Sequence, residues 1–369
     1  MKKIFSSIVI IILIINILLI NFSTLTAKDI TDFADTSDDY FTNLYEISGT
    51  KSSGMGETFV AIADDPSTAY LNPAGLYQLK KRELYVTFPS FVFVFPYPKL
   101  TFALYLQELA NHTYTNSYKD RASIINCGAP VSIPILSWFY FGLSINFLLK
   151  TRTINYSLIP AEDNNYHNED EISEMGYGGS LWSSIGMLFK PLSNIDFGFI
   201  LKNKNEIKWS SHGPEYDSRY PTTFTPLIPE PISITGSDTL PSSMGFGVAM
   251  KLLPNLLLSI DIVQKRWSEA KRNEKDKEIN PGLKDVTEIH IGSEFIPNFI
   301  KKKIPIRFGF YVQPDYIVDE INEEQRFLTF GTGYQFKHFG FDIAIRDSGL
   351  LSSGHKKVTE RDIALFYKW

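Results

Sequence analysis

The sequence predicts an all-β protein: a transmembrane antiparallel β-barrel of about 14 strands with a small N-terminal helical hatch in its lumen. Three observations predict it. The hydrophobic period is two from residue 84 onward. The connections alternate between short turns and long polar loops. The last strand alternates apolar residues and finishes on an aromatic.

Residues 1–27 carry the pattern of a secretory signal peptide. Lys2 and Lys3 precede an apolar run from Ile8 to Ile20, broken only by Asn16, and Leu25-Thr26-Ala27 offers a cleavage site before Lys28. The flank beyond is acidic (Asp29, Asp32, Asp35, Asp38, Asp39) and lacks the Lys/Arg cluster that stops transfer, which reads against a membrane anchor. The expected destination is the bacterial outer membrane with the signal removed. No later apolar run reaches the ~20 residues of a spanning helix. A membrane-embedded chain of this kind has to be a closed barrel, because only helices and barrels satisfy every backbone group in lipid.

Composition agrees. Aromatics make up 14% of the chain, with 28 Phe and 19 Tyr, which suits the two interfacial girdles of such a barrel as well as a large sandwich core. Cys127 is the only cysteine, so the chain has no intramolecular disulfide. The net charge of −5 becomes −7 without Lys2 and Lys3, which disfavours a nucleic-acid surface.

Residues 28–83 form the expected extension and hatch. Residues 28–50 are polar, acidic and weakly patterned. Residues 54–76 read as short helices and turns. Gly54 and Gly56 supply a hinge. Asp65 before Pro66 is a helix start, a carboxylate cap followed by proline at the first helical position. Asn72-Pro73 ends that helix, because the residue before proline is pushed out of the α region. Gly75, after Ala74, permits a left-handed turn.

The barrel is expected over 84–369. Its strands read as 84–88, 91–95, 99–107, 121–133, 138–156, 176–189, 195–209, 242–251, 256–267, 285–295, 304–312, 326–336, 339–346 and 358–369. The short connections are 96–98, 134–137, 190–194, 253–255, 296–303 and 337–338. The long, charged ones are 108–120, 157–175, 210–241, 268–284, 313–325 and 347–357. Sorting of this kind belongs to barrels with periplasmic turns and external loops. An even strand number then brings the hatch and the last strand to the same, short-turn side. In that last strand Ile363, Leu365, Tyr367 and Trp369 share one face, and Leu365, Tyr367 and Trp369 resemble the signal read by the outer-membrane barrel insertion machinery. The strand glycines Gly176, Gly178, Gly179, Gly245, Gly247, Gly331 and Gly333 have no following helix or P-loop lysine. They read as sites of curvature and close approach to the hatch.

The run Gly54-Met-Gly, Val60-Ala-Ile-Ala-Asp-Asp65 and Tyr70-Leu-Asn-Pro-Ala-Gly-Leu76 resembles the hatch of FadL-like outer-membrane transporters of long-chain fatty acids and other hydrophobic compounds. It is similar above all to the PorV/PorQ-like and UPF0164 branches of that superfamily. Segments 240–250, 255–267, 289–295 and 306–310 resemble the family's strand pairs in family order. The resemblance implies a 14-stranded barrel plugged by an N-terminal hatch. It offers no match for 210–241, so it carries over no ligand residues.

No catalytic arrangement stands out. The six His (112, 167, 212, 290, 338, 355) are scattered without an HExxH motif, no Gly-x-Ser-x-Gly elbow occurs, and no cofactor motif is present, so an enzyme is not expected. The acidic run 162–174 lacks EF-hand spacing and reads as a solvated loop rather than a metal site. The loop 210–241 carries Tyr216, Tyr220, Phe224, Leu227, Ile228, Ile232 and Ile234 among six prolines. Apolar side chains on an external loop are costly unless they pack or bind. They read as a hydrophobic capture site at the barrel mouth, or as a lid packed over it. The function expected is passive uptake of a fatty acid or another hydrophobic small molecule, with a hatch pivoting at Gly54 and Gly56 and an exit sideways into the lipid bilayer or to the periplasm. The alternative is a PorV-like partner or carrier in protein secretion, or a structural outer-membrane protein.

Overall fold

The structure, a computed structural model, describes residues 48–88, 90–115, 118–157, 171–212, 234–274, 277–279, 282–297, 304–315, 324–351 and 358–369. The expected signal and lead-in lie outside them. The described part opens with two single-turn helices, α1 (Thr50–Ser53) and α2 (Thr68–Leu71), and a 3-10 helix at Pro73–Gln78. Strands follow: β1 (Glu83–Thr87), β2 (Ser90–Pro96), β3 (Thr101–Thr115), β4 (Tyr118–Leu136), β5 (Phe139–Ser157) and β6 (Glu171–Phe189). Next come β7 (Ile195–Lys202), β8 (Asn205–His212), β9 (Ile234–Leu240), β10 (Ser243–Leu253), β11 (Leu256–Lys265), β12 (Lys271–Glu274) and β13 (Lys277–Ile279). The chain finishes with β14 (Val286–Phe295), β15 (Ile306–Gln313), β16 (Gln325–Gln335), β17 (Phe339–Asp347) and β18 (Thr359–Lys368).

Fourteen of these strands close into one antiparallel ring, β1 to β7, β10, β11 and β14 to β18, sealed where β18 pairs with β1. The remaining four build the wall upward on one side. β6 pairs with β7 through its lower half and with β8 through its upper half. Pairing then runs from β8 to β9, β12 and β13.

Alternation explains the ring. In β14, Val286, Glu288 and His290 turn inward and are buried, while Ile289 and Ile291 turn outward and are 49% and 45% exposed. In β11, Ser259 and Asp261 turn inward, and Ile260 and Ile262 outward. Polar inside and apolar outside is the reverse of a soluble core and is the order of barrels whose outer wall faces lipid.

The expected strands fall in place, but several boundaries differ. The strand expected at 195–209 breaks at Asn203-Lys204 into β7 and β8. The connection expected over 108–120 is a continuation of the β3–β4 hairpin, and much of 268–284 is the β12–β13 hairpin. The sequence over 108–120 is mostly polar and lacks hydrophobic period two, while β-formers such as Thr113, Tyr114 and Thr115 favour an extended chain.

Two hatch expectations are corrected. Asp65-Pro66 does not open the helix. Asp65 Oδ1 accepts from the Ser67 amide at 2.8 Å and the Ser67 hydroxyl at 2.5 Å, forming a turn upstream of α2. Gly75 is not left-handed: it lies inside the 3-10 helix, and a Cβ there would stand 2.2 Å from the Ala63 carbonyl oxygen. The left-handed residues are Gly56 (φ 64°), Glu57 (φ 64°) and Ala63 (φ 40°). Asn72 does end α2 in an extended conformation (φ −149°, ψ 97°), and its side chain accepts from the Ala74 amide to start the 3-10 helix.

Candidate functional site

The hatch is buried inside the ring, nearer the short turns. It fits because the facing wall is small. Gly142 of β5 and Gly186 of β6 stand opposite each other, and a Cβ on either would strike Asn72-Pro73-Ala74. Gly198 of β7 faces Gly247 of β10. A Cβ on Gly198 would lie 2.0 Å from the Val60 carbonyl oxygen. Gly292 and Gly309, paired between β14 and β15, leave the same room for Met55 and Gly56. The wall therefore receives hatch backbone where side chains would otherwise stand.

Polar groups fix the docking. Asp261, fully buried on β11, accepts from the Phe59 and Val60 amides at 2.6 and 2.8 Å. The Gly56 amide donates to Thr329 Oγ1 at 2.8 Å, and the Gly56 carbonyl lies 3.0 Å from His290 Nδ1. His290 Nε2 is 3.2 Å from Glu288, which accepts from Lys265 at 2.6 Å. Ser132 donates to the Ala74 carbonyl at 2.7 Å. Inside the hatch, Asn72 Nδ2 donates to the Val60 carbonyl at 2.7 Å, and Gln78 donates to the Ile62 and Ala63 carbonyls at 3.0 and 2.7 Å.

Ion pairs gather where the hatch meets β14 to β18. Lys51 bridges Asp64 at 2.9 Å and Glu294 at 3.5 Å, and Glu294 holds Arg307, which also reaches Asp342. Glu57, on its left-handed turn, meets Arg346 at 2.9 Å, and Arg346 reaches Glu360 at 2.7 Å. Burial would lower Lys51, but Asp64 and Glu294 outweigh it and hold the ammonium above its usual range. Burial raises Glu57 despite Arg346. Burial, with Asp64 beside it, pushes the Asp65 carboxyl up to about 6.

Above the hatch lies an apolar layer. Ile124, Leu148, Ile207, Leu240, Trp267 and Leu283 pack together at its centre, with Leu109 and Trp182 against them. Higher still, Trp209 is buried beneath three cations: Lys150 Nζ is 4.4 Å from its ring centre, and Arg152 and Arg272 are 5.4 and 5.7 Å away. Lys150 bridges the buried Asp238 of β9, past β6 and β8 on the same side of the wall.

The wall has a notch at the height of that layer. β1 and β2 contain 5 and 7 residues, against 15 and 19 in β3 and β4. Pairing of β1 with β18 stops at Thr87 and Ala364, and pairing of β2 with β3 stops at Ser90 and Gln107. β18 continues upward through Ile363 to Thr359, and β3 from Glu108 to Thr115. Among the described residues no strand fills the space between them. With strands about 4.8 Å apart, two missing strands leave about 14 Å. Leu109, at a register shift in β3, borders the notch and touches the apolar layer.

The structure thus brings Gly54, Gly56, Asp65, Pro66, Asn72, Pro73, Ala74 and Gly75 into one buried body. Gly54 packs on Gly331, and Gly56 is clamped by hydrogen bonds. Leu365, Tyr367 and Trp369 lie on the outward face of β18, where Tyr367 and Trp369 stack at 5.7 Å. Tyr216, Tyr220, Phe224, Leu227, Ile228 and Ile232 lie outside the described residues, as does most of the acidic run 162–174. The Ile234 backbone opens β9. Sequence reading missed Asp261, Thr329, His290 and Arg346 as hatch anchors. Their signal was a polar residue at an inward position of an otherwise apolar strand.

No family model matches the chain, and a comparison with curated proteins finds no relative by sequence. Solved structures do share the fold. A Pseudomonas aeruginosa FadL homologue is similar over 88% of this chain and 99% of its own, with a TM-score of 0.65 and 12% identity. The Ralstonia pickettii toluene transporter TbuX is similar over 89% and 100%, with a TM-score of 0.61 and 13% identity. The Pseudomonas putida toluene transporter TodX is similar over 88% and 99%, with a TM-score of 0.57 and 14% identity.

Proposed function

We propose that this chain is an outer-membrane barrel for passive uptake of hydrophobic small molecules, long-chain fatty acids among them. The observation that carries the reading is the notch above the β1–β2 hairpin, at the height of an apolar layer and directly over a buried hatch. A molecule captured at the mouth passes into the apolar layer. The hatch blocks the way to the periplasm, so the open direction is sideways, through the notch into lipid. The apolar outer wall and the FadL-like fold support placement in the outer membrane. The proteins named above that share this fold include transporters of toluene.

The test is uptake into vesicles. Purified full chain in liposomes is expected to speed entry of a fluorescent fatty acid. Lengthening β1 and β2 by four residues each, which fills the notch while keeping the inward and outward faces, is expected to lower that rate about tenfold. A rate no greater than in protein-free vesicles, or one indifferent to the longer hairpin, would sink the reading. A second reading, a PorV/PorQ-like or UPF0164-type partner in secretion that transports nothing, draws on the packed state of the lumen at both the hatch and the apolar layer. No uptake together with a stable crosslinked complex with an exported protein favours it.

A further inference from the structure

We propose that the short-turn rim across the β18–β1 seam is a binding site for an anionic phospholipid. The inference rests on the membrane placement above but concerns another part of the molecule. Lys80, Lys81, Arg82, Lys99 and Lys337 are all exposed there, on neighbouring connections of the ring. Backbone bonds tie those connections together. The Trp369 amide donates to the Arg82 carbonyl at 3.1 Å, and the Lys368 amide donates to the His338 carbonyl at 2.6 Å. Of the acids near this arc, Glu83 is buried and bridges Lys368 at 3.1 Å, and the exposed Asp64 is paired with Lys51 at 2.9 Å. Basic charge thus accumulates here in a chain whose overall balance is acidic.

A continuous run of aromatic contacts, part stacked and part edge-to-face, stands on the outward face directly above. Tyr97 contacts Phe102 at 5.9 Å, Phe102 stacks on Phe95 at 4.7 Å, and Phe95 meets Phe93 at 4.5 Å. Phe93 then meets Trp369 at 5.3 Å, and Trp369 meets Tyr367. Between Tyr97, Pro98, Leu100 and Phe102 lies an apolar groove of about 470 Å³, with Lys99 on its edge. The two halves fit one ligand. Acyl chains lie along the rings, and the phosphate accepts charge-assisted hydrogen bonds from the lysines and arginine. A zwitterionic headgroup brings its own cation into an arc where exposed basic groups outnumber the one exposed acid, Asp64, itself paired with Lys51, so a headgroup of net negative charge is selected.

Native mass spectrometry of the detergent-purified full chain tests this, with phosphatidylglycerol and phosphatidylcholine as probes. The wild type is expected to retain phosphatidylglycerol several-fold better. The K81Q/R82Q/K99Q variant is expected to retain about tenfold less of it. Phe102→Ser, which alters the rings and no charge, is expected to lower retention too. K251Q, exposed near the end of the distant β10, leaves it unchanged. Heat-modifiable migration on gels reports that each variant is folded. Equal retention of both lipids, a triple variant that holds as much as wild type, or displacement of the lipid by free glycerol phosphate would overturn the proposal. A chain that inserts into neither phosphatidylglycerol nor phosphatidylcholine vesicles removes the membrane placement as well, which separates the two failures.

Discussion

Asp261 shows how one side chain can hold a segment that has almost no regular structure of its own. It supplies the acceptor for two consecutive buried amides of the hatch. Asp261→Ala leaves both without a partner and is expected to cost about 3 kcal/mol of hatch docking. Limited proteolysis should then cut within 48–82 while the barrel still migrates as folded. Asp65 adds a pH dependence whose sign is the reverse of a paired carboxylate. Its folded pKa, about 6, lies above the ordinary 3.8. The folded state keeps a proton that the unfolded state has lost between about pH 4 and pH 6. This contribution is therefore whole below about pH 4 and is lost as pH rises through 6. Protease resistance of the hatch should fall from pH 4 to pH 7, and Asp65→Asn should flatten the change. At this scale the sequence was half readable. Asn72-Pro73 announced its own conformation, because proline restricts its neighbour locally. Gly75 did not, because its smallness answers Ala63 and Thr68, contacts that exist only after folding.

The hatch, as an element, is held by shape more than by secondary structure. Its two helices are four residues each, too short to be stable alone. Gly198→Ala tests this, since the added Cβ would meet the Val60 carbonyl. The hatch should lose its seat and become accessible to protease, with the heat-modifiable barrel intact. Deleting 50–78 in full should leave a barrel that leaks small solutes in a liposome-swelling assay. Among strands, β18 was readable to within one residue at each end, because Ile363, Leu365 and Tyr367 alternate with Asp362, Ala364, Phe366 and Lys368. β8 was read only as the end of a longer strand, and β9, β12 and β13 were not read, because their short, mostly polar sequences carry no hydrophobic alternation. The inner face of this extension holds the Lys150–Asp238 pair, which joins β5 to β9 over the intervening β6 and β8. Asp238→Ala strands a buried ammonium and is expected to destabilise the extension by about 3 kcal/mol. Loss of Trp209 fluorescence shift ahead of barrel unfolding in urea would report it.

For the whole molecule, strand number, hatch placement and the common side of both ends of the barrel followed from sequence. Turn lengths and parity are global constraints written along the chain. The notch did not follow. Residues 84–88 and 91–95 were seen as short, but that two short strands side by side leave a breach depends on which strands flank them. The same shortness has a kinetic consequence. β18 meets β1 over only five residue pairs, and the two strands are separated by nearly the whole barrel sequence. Joining such distant segments carries the largest loop-closure entropy in the fold, with only this short ladder to repay it. The hatch lies across this seam: the Thr50 amide donates to the Tyr85 hydroxyl at 3.1 Å on one side, and Glu57 grips Arg346, which holds Glu360 of β18, on the other. Ring closure is thus set up to be the last and slowest folding step, with the hatch as its clasp. A chain without residues 50–78 should refold with a slower final phase, and under pulling force its ring should part first between β18 and β1.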